Sequence, residues 1–131
     1  MMSCPESSPW GRIDYSETLL PGVFLVSTPS HGGVMVAPDT SEFLSPHARR
    51  LALKHGEFLC FEEDCASAIV YRELLDKKLL RAPLLKSLIE SFSVRIDSTI
   101  KEYYPEYWRS RESALQAEQK LKAHPKHEHQ I

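Results

Sequence analysis

Val23-Phe24-Leu25-Val26-Ser27-Thr28-Pro29-Ser30-His31-Gly32-Gly33-Val34-Met35-Val36 is the stretch on which the fold turns. Two apolar, β-branched runs flank a cluster of turn formers, the pattern of a hairpin. Val23–Val26 is expected as a central strand and Val34–Val36 as its antiparallel return. Pro29 to Gly33 reverses the chain, and the two glycines are expected to supply positive φ there. Upstream, Leu20-Pro21-Gly22 suits a type II turn, with proline then glycine at its centre. Trp10 to Tyr15 is a candidate first strand, and the Ser/Pro-rich residues 1–9 are expected as a flexible lead-in.

Downstream, Asp39 to Phe43 is a polar loop. Ser45-Pro46 has the form of a helix N-cap followed by proline at the first helical position. That helix is expected over His47 to Lys54, ending at Gly56. Phe58-Leu59-Cys60-Phe61 is a fourth strand. Glu62-Glu63-Asp64 then opens a helix whose apolar face is Ala66, Ile69, Val70, Leu74 and Leu75. A longer helix starts at Pro83 and reaches about Tyr104, with Leu84, Leu85, Leu88, Ile89, Phe92, Ile96 and Ile100 as its stripe. Tyr103 to Trp108 is an aromatic break around Pro105. Residues 109–123 are expected as an exposed, polar C-terminal helix and 124–131 as a disordered tail. Strands first and helices later give an α+β domain over residues 10–108. Its small antiparallel sheet of three to four strands is expected to pack, on one face, against two longer C-terminal helices.

The bulk numbers exclude several classes of protein. The chain has 131 residues, 42% hydrophobic and 26% charged, which suits one globular domain with its own core. A formal charge of −2 argues against non-specific nucleic-acid binding, which needs a basic surface. Three cysteines, Cys4, Cys60 and Cys65, have no CxxC spacing and no paired framework, as in a reducing compartment. No secretory signal and no membrane-spanning apolar run is evident. A cytoplasmic location is expected, with the oligomeric state left open.

Two polar segments carry the candidate chemistry. His31 can act as a general base or a metal ligand, or simply as a turn residue. Gly32 and Gly33, with Ser30, can present an anion nest, or only shape the hairpin. Glu62, Glu63 and Asp64 can hold a divalent metal or form an acid/base pair. They also suit the positive end of a helix dipole, which explains one carboxylate better than three. Cys65 at a helix start gains from the dipole, but three carboxylates beside it raise its pKa, which favours a packing role over a nucleophilic one. His124, His127 and His129 fall in the expected tail and are discounted as a metal site. Tyr103, Tyr104, Tyr107 and Trp108 with Arg109 and Arg111 can stack on bases, yet suit a helix junction better.

Trp10-Gly11, the Ser27-Thr28-Pro29-Ser30-His31-Gly32-Gly33 turn and Glu62-Glu63-Asp64-Cys65-Ala66 together resemble a domain family of bacteriophage, plasmid and other mobile-element proteins. Its pattern is a Trp-Gly, a Ser-Thr-x-x-His-Gly-Gly turn and a Glu-Glu-Asp-Cys segment. Phe61 stands where many relatives carry an aromatic, and Tyr104-Pro105 with Trp108 matches a looser feature. The resemblance spans Trp10 to about Val70. It implies a mobile-element setting and no particular activity.

Two functions follow as expectations. One is a small interaction protein that binds a host or defence protein. The other is a hydrolase-type enzyme using catalytic His31, Glu62, Glu63 and Asp64, with Ser30, Gly32, Gly33 and Cys65 as binding residues and a divalent metal as optional cofactor.

Overall fold

The computed structural model describes residues 3–79 and 86–129. Five strands form one antiparallel sheet: β3 (Tyr15–Leu20), β4 (Val23–Ser27), β5 (Gly32–Val36), β6 (Leu53–His55) and β7 (Phe58–Glu62), in the order β3-β4-β5-β7-β6. A separate two-stranded ribbon, β1 (Ser7–Ser8) with β2 (Gly11–Arg12), precedes them. The helices are α1 (Pro46–Leu51), α2 (Ser67–Asp76), α3 (Lys86–Tyr103) and α4 (Pro105–His129). The class is α+β, as the segment order implies. The sheet has one strand more than the upper expectation: its first strand is Tyr15–Leu20 and not Trp10–Tyr15, and Leu53–His55 pairs with Phe58–Cys60 instead of extending α1. Gly56 lies in the turn between β6 and β7 and not at a helix end.

Local chemistry explains most boundaries. Ser45 caps α1 by accepting the Ala48 N–H at 3.1 Å, and Pro46 follows at the first helical position. Pro21-Gly22 turns β3 into β4 with Gly22 at φ +88°, as a type II geometry demands. The chain breaks between α3 and α4 at Tyr104-Pro105, where proline opens the next helix. Pro83, Leu84 and Leu85 lie outside the described residues, as do the side chains of Leu88 and Ile89.

The central strands are buried on both faces. Val23, Val34, Val36, Leu59 and Phe61 point to one side, where Ile69, Val70 and Leu74 of α2 and Ile96, Ile100 and Tyr107 complete the core. Phe24, Val26, Met35, Ala37, Phe58 and Cys60 point to the other, and there Cys4, Trp10 and Ile13 cover them. Within the expected lead-in, Ser7–Ser8 forms a strand; Ser8 is buried, and its hydroxyl donates to the Gly11 carbonyl at 2.9 Å. The cause is the apolar second face, which needs a cover while the helices lie on the other side. α4 runs from Pro105 to His129, through most of the residues expected as a tail.

Gly32 and Gly33 sit inside β5, and neither has positive φ. The reversal is made by the residues before them. Their lack of a side chain serves close approach instead. A Cβ on Gly33 would stand 2.3 Å from the Phe61 carbonyl oxygen and 2.5 Å from the Trp10 ring. The indole rests directly on that bare backbone. Gly33→Ala is therefore expected to destabilise the fold by about 1–3 kcal/mol through overpacking. Urea unfolding followed by tryptophan fluorescence measures it; an unchanged midpoint contradicts the account.

Candidate functional site

The residues of the two polar segments do meet, but mainly through backbone. Strand pairing sets Gly33 beside Glu62, and the Glu63 N–H donates to the Gly32 carbonyl at 3.0 Å. The Glu63 carboxylate folds over Gly32, where a Cβ would lie 2.9 Å from Oε2. Thr28 closes the turn that leads into β5. Its N–H donates to the His31 carbonyl at 2.7 Å, and its hydroxyl accepts the His31 N–H at 3.1 Å. That hydroxyl also lies 2.7 Å from the His31 carbonyl and 3.3 Å from the Trp10 carbonyl. The Ser30 hydroxyl reaches the Trp10 carbonyl at 3.5 Å.

Trp10, Thr28, Gly32, Gly33 and Glu63 thus form one joint between the ribbon, the β4–β5 turn and the end of β7. Gly32 and Gly33 are buried strand residues, which leaves them unsuited to act as an anion nest. The His31 ring is exposed and makes no hydrogen bond or ion pair among the described residues. Among the described residues no three histidine, cysteine or acidic side chains are grouped to hold a metal. Glu63 and Asp64 border a shallow groove with Tyr71, Phe92 and Arg95 between α2 and α3. Cys65 is half-buried; desolvation first, then the charges of Asp64, Glu62 and Glu102, push its thiol up. It is a poorer nucleophile than an ordinary cysteine at neutral pH. The side chains of His124, His127 and His129 lie outside the described residues.

A second polar cluster, outside both polar segments, is centred on α2. Glu73 is 5% exposed, yet both carboxylate oxygens are engaged. The Ser45 N–H donates to Oε1 at 2.6 Å and the Tyr107 hydroxyl to Oε2 at 2.5 Å. Lys77 stands 3.4 Å from Oε1 and also donates to the Phe43 carbonyl. One turn away, Arg111 grips Asp76 in a two-pronged contact at 2.6 and 2.8 Å. Arg72, 8% exposed, turns to α3 and donates to Ser93 at 2.8 Å and Asp97 at 2.7 Å. Its Nε lies 3.2 Å from Asp76 but makes no hydrogen bond, so that contact is coulombic only. Glu73, Asp76, Lys77, Tyr107, Ser110 and Arg111 line a cleft of about 350 Å³.

These groups are spent on each other. Glu73 joins the cap of α1 to α2 and α4, and Asp76 joins α2 to α4. The aromatic break packs a helix junction: Tyr107 is buried, and Trp108 lies between Lys101 and Arg111, each 4.9 Å from its ring centre. The sequence did hold a sign of Glu73. It stands four residues after Ile69 and three after Val70, on the stripe that should be apolar.

Removing the Tyr107 hydroxyl leaves a buried carboxylate oxygen without its donor. Tyr107→Phe is expected to cost about 1–3 kcal/mol, while the exposed Tyr103→Phe stays within about 0.5 kcal/mol. Equal urea midpoints for the two variants would refute the Glu73 clasp. Burial also pushes the Cys60 thiol from 9.0 up to about 12. Desolvation and the Glu73 carboxylate raise the Tyr107 phenol as well. Both groups keep their protons in the fold after the unfolded chain has lost them. Stability is therefore expected to be whole below about pH 9 and to fall as pH rises towards 12. Urea midpoints measured at about pH 8 and about pH 10.5 check this, and a flat profile contradicts it.

No helix among the described residues is long and apolar enough to cross a membrane. No curated protein and no solved structure matches the chain. A family model does match it, over residues 3–130. That span takes in the ribbon, the Trp10–Gly33 joint, the Glu73 clasp and all of α4, so the chain belongs to the family described as domain of unknown function DUF7007.

Proposed function

We propose that the chain is a small cytoplasmic interaction protein of a mobile genetic element, acting by binding a host or defence protein. The mobile-element setting rests on the resemblance carried by Trp10-Gly11, the His31-Gly32-Gly33 turn and the Glu62–Cys65 segment. The binding role rests on α4. This helix has 25 residues, a length of about 37 Å at 1.5 Å per residue. Its first third is held by Tyr107, Trp108 and Arg111, and the cleft beside it ends at Glu118. Beyond that point Leu121 is 70% exposed. A polar helix gains little stability without an apolar face to bury, and a protein partner supplies one.

The other reading, a hydrolase using His31 with Glu62, Glu63 or Asp64 and an optional divalent metal, draws on a single feature. The Glu63 carboxylate lies over Gly32, the residue next to the unengaged His31 ring.

The two readings separate on one set of proteins. The tagged full chain, a chain lacking residues 119–131, and a His31→Ala/Glu63→Gln variant are each purified from host cells. Captured partners are then remixed with the purified chains. The binding role predicts a complex that survives the double substitution, is lost on truncation, and slows amide exchange in the outer half of α4 by about tenfold or more. A complex indifferent to the truncation overturns it, and loss only in the double variant turns attention to His31.

A further inference from the structure

The surface beside α1 carries an unusual concentration of unneutralised positive charge. Arg49 and Arg50 occupy the last turn of α1, and Lys54 lies on β6. All three are exposed and line one open basin of about 820 Å³. None of them makes an ion pair or side-chain hydrogen bond among the described residues. One acid, Glu57, stands on the rim, while Ala52 and Leu59 give the floor an apolar patch. Two cations near the end of a helix favour its dipole, but that accounts for neither Lys54 nor their gathering around one hollow. The sheet ends at β6, so no further strand neutralises this edge.

We infer that this basin is a docking face for a short acidic segment of a partner protein, one that sets two or three carboxylates against Arg49, Arg50 and Lys54 and an apolar side chain on the Leu59 floor. Charge decides the class of occupant. The chain as a whole carries −2. Three cations and one anion here leave the rest of the molecule more negative still. A nucleic-acid backbone leaving the basin would meet a surface of its own sign, whereas a short acidic segment ends where the positive field ends. The width of the hollow suits a peptide side-chain cluster better than a small anion, which needs enclosure. Guanidinium groups grip carboxylates in paired hydrogen bonds, and two adjacent arginines offer two such forks. This face is separate from α4, so it stands or falls apart from the role proposed for that helix.

Fluorescence anisotropy of the full chain tests it. The probe is a labelled peptide of about ten residues bearing four glutamates, one leucine and one phenylalanine. A lysine counterpart and a single-stranded oligonucleotide of similar charge serve as comparators. The wild-type chain and an Arg12→Gln/Lys120→Gln control are expected to bind the acidic peptide alike. The Arg49→Gln/Arg50→Gln/Lys54→Gln variant is expected to lose about tenfold or more in affinity. Binding should also weaken as salt rises from about 50 to about 300 mM. Amide shifts in the wild-type chain locate the contact without any substitution, and they are expected between Arg49 and Leu59. No binding of the acidic peptide, equal binding by the triple variant, or shifts confined elsewhere overturn the inference. So does tighter binding of the oligonucleotide, which would assign the basin to nucleic acid.

Discussion

A sheet that is apolar on both faces dictates the rest of this molecule. Val34 and Val36 look one way along β5, and Met35 and Ala37 look the other, all of them at 0% exposure. Neither face tolerates water, so the fold needs two covers. The helices pack against one of them only. The N-terminal ribbon supplies the other, and Trp10 is its principal apolar anchor. The indole reaches the sheet because Gly33 offers backbone where another residue would offer a side chain. The turn hydroxyls of Thr28 and Ser30 then tie the Trp10 carbonyl to the same place. A motif that resembles a catalytic turn in outline is, in its backbone and its glycines, the seat of a lid on the core.

The helical cover is organised by charge as well as by packing. Burying Glu73 and Arg72 side by side on α2 is costly unless every lone pair and proton finds a partner. Glu73 meets that condition with a backbone N–H and a phenol. Arg72 meets most of it, with Nε left facing Asp76 at a distance but without a hydrogen bond. Asp76 cannot turn to satisfy it, since Arg111 holds both of its oxygens. Such contacts add less to stability than apolar residues of the same size. What they add is direction, because each hydrogen bond needs its partner at a set place.

Much of this was legible from the chain, and the failures have definite causes. The strands at Val23–Val26, Val34–Val36 and Phe58–Phe61, the Pro21-Gly22 turn and the Ser45 cap follow from local chemistry, which tertiary contacts did not override. Composition alone hides the ribbon, since Ser7-Ser8-Pro9 looks like linker. The unbroken apolar runs were the available clue: a strand with one wet face alternates, and Val34-Met35-Val36 does not. A Gly-Gly pair near proline ordinarily belongs to a turn, and local pattern places Gly32 and Gly33 there. Only the approach of Trp10, 23 positions away in the sequence, reveals their other use. At the site, the His31 and Glu63 segments meet because β5 lies beside β7, a neighbour relation that no local pattern in the sequence specifies. The Glu73 clasp joins three elements, α1, α2 and α4, and no local window contains it.

Arg72 and Glu73 are neighbours on a helix, so their side chains leave it about 100° apart. One is fastened to α3, through Ser93 and Asp97, and the other to the head of α1 and to α4. A helix held by one polar contact can still swivel about its long axis, as a cylinder rolls on grease. With two fastenings at different azimuths, any roll that relaxes one strains the other. The consecutive pair works as a keyway: it fixes the rotational phase of α2 against the sheet, a quantity that hydrophobic burial alone specifies only loosely.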